Sequence, residues 1–103
     1  MKYRSLQPFL NDFRRLPAEH QSMFPESLRQ YFLPAVDAGS LSGSPPWPGR
    51  LRIHRLNNTE IYSLTWNFAS PDGRATFHLD KTDDGEPLLV RRRVGNHAID
   101  NRP

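Results

Sequence analysis

The sequence predicts an α+β fold in which N-terminal helices pack on one face of a four- to five-stranded, mostly antiparallel sheet. Three observations predict it. Apolar residues recur at helical spacing only before residue 39. From Arg50 onward the period becomes two. Between the two regimes lies GSLSGSPPWPG, residues 39–49, whose glycine, serine and proline make a loop. A length of 103 residues suits one small domain spanning 1–103, with that loop joining helices to sheet.

Lys2 to Ser5 suit a short strand. Leu6, Phe9, Leu10, Phe13 and Leu16 then fall on one stripe of a 3.6-period helix, and Pro8 is acceptable in its first turn. Leu16-Pro17 ends the pattern, because a residue before proline avoids the helical region. From about Ala18 to Ala38 the apolar side carries Phe24, Leu28, Tyr31, Phe32 and Val36. Pro25 and Pro34 interrupt it, which predicts two short helices or a kinked one, and Gly39 is a natural stop. Trp47 is expected to pack the loop down. Strands follow at Arg50–Leu56, Ile61–Phe68, Arg74–Leu79 and Leu88–Val94. The turns are Asn57-Asn58, Ser70-Pro71-Asp72-Gly73 and the acidic stretch from Lys81 to Pro87.

Alternation assigns the two sheet faces. Leu51 and Ile53, Tyr62, Leu64, Trp66 and Phe68, Ala75, Phe77 and Leu79, and Leu88 and Val90 form the side expected beneath the helices. The opposite side carries Arg50, Arg52 and His54, then Ser63, Thr65 and Asn67, then Arg74, Thr76 and His78, then Arg91 and Arg93. No acid appears there before Asp80; the carboxylates sit in the turns. Such segregation makes a positive platform suited to a polyanion. The alternative is a solvated face whose arginines pair with those acidic loops.

Composition narrows the chemistry. The absence of cysteine excludes disulfides, thiolate metal sites and a cysteine nucleophile. No His-x-x-x-His spacing, glycine-rich phosphate loop or nucleophile elbow is present, so neither a metal nor a nucleotide cofactor is expected. No apolar stretch approaches the ~18 residues of a membrane span. Charge recurs too soon after Met1 for a signal peptide, so a cytoplasmic protein is expected. Of 14 basic residues only Lys2 and Lys81 are lysines, and the net charge is +3. Arginine suits planar phosphate recognition, although a GC-rich genome also favours it. His20 reads as a surface helix residue, whereas His54, His78 and His97 fall with the polar face. Arginine plus histidine without a metal suits transesterification at an RNA phosphate: a base takes the 2′-OH proton, arginine neutralises the phosphoryl oxygens, and an acid protonates the departing 5′ oxygen.

Two stretches, RIHRLNNTEIYSL at Arg52–Leu64 and VRRRVGNHAID at Val90–Asp100, together with the order of strand, helical hairpin and meander, resemble the RelE/ParE superfamily of bacterial toxins. The resemblance implies an endoribonuclease toxin of a type II toxin–antitoxin system, cutting mRNA at the ribosome and restrained by a cognate antitoxin protein. It implies that His97 stands at the acid or base position of the last strand, His54 at the basic position before the second meander strand, and Arg74 at the arginine contacting the scissile phosphate. Arg91 or Arg93 would be a further phosphate contact. The usual aromatic residue after the His97 position is missing here; Ala98, Ile99 and Asp100 follow instead. The alternatives are a non-catalytic, gyrase-inhibiting ParE-like protein and a basic-faced module binding nucleic acid or protein.

Overall fold

The computed structural model describes residues 2–69 and 72–103. Ser70 and Pro71 of the turn expected at 70–73 lie outside the described residues. β1 (Lys2–Ser5) leads into α1 (Gln7–Arg15) and α2 (Ala18–Ser27). A π-helical turn at Leu28–Phe32 continues α2 into α3 (Leu33–Ala38). After the connecting loop come β2 (His54–Arg55), β3 (Tyr62–Asn67), β4 (Gly73–Lys81) and β5 (Pro87–Asn96), then a 3-10 turn at His97–Asn101. The five strands form one mixed sheet in the order β1-β5-β4-β3-β2; β1 runs parallel to β5 and the other pairs are antiparallel. Among the described residues no helix is long and apolar enough to cross a membrane.

The helical half follows its local signals. Pro8 sits in the first turn of α1, and Leu16 is extended before Pro17. Gln21 closes the hairpin by donating to the carbonyls of Phe13 and Leu16 at 3.2 and 3.0 Å. Neither later proline breaks the rod. Pro25 lies inside α2 and Pro34 in the first turn of α3, and between them the backbone widens to a π-turn, with Leu33 N–H donating to the Leu28 carbonyl. A π-turn shifts the bonding register by one residue and so accommodates missing donors without a break. Gly39 ends α3 in the left-handed region at φ 106°. Trp47 stacks on Phe32 with ring centroids 5.3 Å apart, which anchors the loop as expected.

The core lies between helices and sheet. Phe9 and Phe24 of the hairpin meet Leu64 and Trp66 of β3, Ala75 and Phe77 of β4, and Leu89 and Val94 of β5. Phe24 sets its edge against Trp66 at 5.6 Å. Gly73 makes room for that indole: a Cβ there would stand 2.6 Å from the Trp66 ring and 2.8 Å from the Asn67 Cβ.

Three expectations need correction. The first meander strand, expected at Arg50–Leu56, is only His54–Arg55; Gly49–Leu51 is a 3-10 turn ending at Arg52, whose φ of 46° breaks any extended run. Leu88 and Val90 do not share the helix side. Leu89 and Arg91 take it, because Phe77 pairs with Arg91 and Leu79 with Leu89. A bulge opposite Thr76/Phe77 then inserts Arg92, flips the parity, and returns Val94 to the core. Phe68 and Leu79, expected in the core, are 42% and 41% exposed at the sheet ends.

The opposite face is not open. The segment 97–103 crosses it as a strap. Ile99 is buried and lies against Gly95, where a Cβ would come within 3.2 Å of it. Ser63, Arg74 and Thr76, which the strap contacts, are buried, and so is Thr65. The molecule therefore has three layers: helices, sheet and strap.

Candidate active site

His54 owes its orientation to Arg52. Arg52 caps the 3-10 turn in the left-handed region, at φ 46° and ψ 40°, a conformation a non-glycine residue adopts at a cost of about 1 kcal/mol. That conformation turns its carbonyl oxygen to 2.8 Å from His54 Nδ1. A carbonyl only accepts, so Nδ1 carries the hydrogen, and Nε2 of the neutral ring keeps its lone pair. His54 is exposed and pairs across the sheet with Ser63.

Arg74 is held from three sides. Trp66 Nε1 donates to its carbonyl at 2.8 Å, its Nε donates to Asp72 at 2.9 Å, and its Nη1 donates to Asp100 at 3.4 Å. Only 7% of the residue is exposed. The hydrogen bond from Arg74 holds the Asp72 carboxyl below the usual aspartate range.

Asp100 joins the cluster. Its Oδ1 accepts from Ser63 Oγ at 2.8 Å, and His97 Nδ1 stands 3.9 Å from Oδ2, the oxygen that accepts from Arg74. Asn96 starts the turn that aims it, accepting from Ala98 N–H at 2.9 Å. Arg74, Ser63 and His97 thus converge on one carboxylate, and His54 is Ser63's strand neighbour. His97 itself remains accessible, with 71% of its side chain exposed. Sequence reasoning passed over Asp100; the available signal was Asn96 as a capping residue ahead of His-Ala-Ile-Asp.

The other expected RNA contacts do not gather there. Arg50 leaves the polar face and lies over the rings of Tyr31 and Phe68, 4.7 and 4.9 Å from their centroids, donating to the Tyr31 hydroxyl. Arg91 is on the helix side, stacked over Tyr3 and Phe9. Arg93 reaches round the sheet edge to α1, where Asp12 accepts its fork at 2.6 and 3.2 Å and raises its pKa. Arg52 is exposed and has no carboxylate partner among the described residues. Arg92, which the alternation did not single out, donates to the Pro103 carbonyl oxygen and to His78 Nδ1, both at 3.0 Å. Burial, reinforced by the Arg92 charge, lowers the His78 pKa from its ordinary value. His20 is half-buried rather than a free surface residue, its ring edge-on to Trp66 at 5.7 Å.

Chemically, the cluster on Asp100 holds an accessible imidazole, His97, and a guanidinium neutralised by two carboxylates, and His54, oriented by Arg52, lies on the strand next to Ser63. Among the described residues no three histidine, aspartate or glutamate side chains stand as a metal's ligands would. No family model, curated protein or solved structure matches the chain.

Proposed function

We propose that this chain is a toxin of the RelE/ParE kind, a metal-independent endoribonuclease that cuts mRNA on the ribosome, in the cytoplasm, and is restrained by a small antitoxin protein. The observation that carries the reading is the tie from Arg52 to His54, which leaves Nε2 as a base on the side where Arg74, Ser63 and His97 meet. The order of strand, helical hairpin and antiparallel meander supports it. In the reaction His54 Nε2 takes the proton of a ribose 2′-OH. The 2′ oxygen bonds to the adjacent phosphorus, the bond to the 5′ oxygen breaks, and protonated His97 gives that oxygen a proton. The products are a 2′,3′-cyclic phosphate and a free 5′-OH. Arg74 would meet the phosphate in competition with Asp72 and Asp100, which already accept from its Nε and Nη1.

That double pairing favours a second reading, a ParE-like protein that inhibits gyrase by binding and needs no acid–base pair. Mapping of RNA ends after induced expression separates the two. The cleavage reading expects cyclic-phosphate ends, and folded His54→Ala slows cleavage by about 10²–10⁴-fold. Intact RNA with arrested DNA supercoiling selects the second reading. Undiminished cleavage by a folded variant lacking both His54 and His97 removes the mechanism.

A further inference from the structure

Of the four buried or half-buried guanidiniums, Arg74 has Asp72 and Asp100, Arg93 has Asp12, and Arg92, without a carboxylate, donates to the Pro103 carbonyl oxygen and His78 Nδ1. Arg91 is the fourth. It is half-buried on the helix side of the sheet, and among the described residues no carboxylate oxygen lies within 4.0 Å of it. Its Nε donates to Ser5 Oγ at 2.9 Å, and its Cζ lies 4.2 Å from the Tyr3 ring centroid and 4.5 Å from that of Phe9. These contacts fix the group without neutralising it. A desolvated cation is costly unless an anion meets it.

Arg91 lines a cavity of about 540 Å³ between β1 and the α2–α3 rod, with apolar walls from Leu28, Phe32, Leu33 and Leu89. Lys2 is shared with a second open groove of about 820 Å³ beside Val36 and Leu41. Tyr3 and Leu33 on the walls are 64% and 45% exposed. We infer that this groove receives an apolar segment of a partner protein carrying one Asp or Glu, whose carboxylate seats on Arg91. Two adjoining grooves suit a length of chain better than a compact metabolite, and β1 offers beside them a strand edge unpaired among the described residues. Lys2 and Arg29 at the rim favour an acid, although each also meets a glutamate, whereas Asp37 opposes it. The polar face offers no equal seat, since Arg74 there is already neutralised. The inference does not depend on RNA cleavage.

Random dodecapeptides displayed on phage and selected on the whole chain test it. The expected winners carry one Asp or Glu between apolar residues. A synthetic winner should lose about ten- to hundredfold in affinity on Arg91→Gln, the range of a charge-assisted hydrogen bond. Arg91→Gln also removes ring stacking and can loosen the fold, so Leu33→Glu, at an exposed wall position, gives the second reading and should weaken binding similarly. Asp37→Asn should strengthen it several-fold. Recovery of no binder, selection of peptides without an acid, or affinity that survives Leu33→Glu in the folded protein overturns the inference. None of these outcomes bears on the mapping of RNA ends.

Discussion

At Gly73 the requirement is space rather than backbone freedom. The indole of Trp66 occupies the volume a Cβ would need, and that indole donates to Arg74 and packs on Phe24. Gly73→Ala should therefore lower stability by about 1–3 kcal/mol, the usual cost of overpacking, read as a lower urea midpoint. A midpoint equal to wild type would mean that Trp66 shifts freely. His78 sets a pH dependence. Its folded pKa lies below its ordinary value of 6.5, chiefly through burial and next through Arg92. The folded protein resists a proton that the unfolded chain accepts, so this stability is complete above about pH 6.5 and lost as pH falls through the lower folded value. His78→Gln, which keeps an acceptor for Arg92, should lose less stability than wild type between pH 7 and pH 5; equal losses in thermal melts would refute the assignment.

At the scale of elements the strap is the informative piece. It buries Ile99, supplies Asp100 to Ser63 and Arg74, and holds Thr76 and Arg92 through the Pro103 carbonyl. A chain ending at Asn96 should lose about 2–4 kcal/mol, from one buried isoleucine and its hydrogen bonds, measured by urea unfolding. In the full chain, Asp100→Asn should tighten binding of single-stranded RNA if Arg74 is the phosphate contact, since no carboxylate at 100 competes for it. Unchanged or weaker binding would remove Arg74 from that role. The helices, β1 and the outlines of the three long strands were legible because each rests on local signals: stripe spacing from Leu6 to Leu16, the stop at Gly39, alternation through Tyr62–Asn67. The strand expected at Arg50–Leu56 misled because Leu51 and Ile53 alternate with arginines while Arg52 turns left-handed. Alternation carries no record of φ.

Across the whole molecule a net charge of +3 hides how few of the expected RNA contacts stand free. Arg74 and Arg93 are paired with acids, Arg50 and Arg91 lie over aromatic rings, and Arg52 alone of the expected RNA contacts has neither partner among the described residues. RNA bound through this face should release few counterions, with a log–log salt slope of about −1 to −2 at roughly 0.7 per phosphate. A slope steeper than about −4 would place the RNA on another surface. Periodicity in the chain was enough to specify the helical and strand regimes and the polar character of one sheet side, because side-chain direction follows from local backbone geometry. It could not specify the one-residue bulge at Arg92, which sends Arg91 to one face and Arg93 to the other, or that residues 97–103 fold back to lay Asp100 on Arg74. Both depend on pairing and packing between segments far apart in the chain, where a shift of one residue costs little locally and reverses every side chain beyond it.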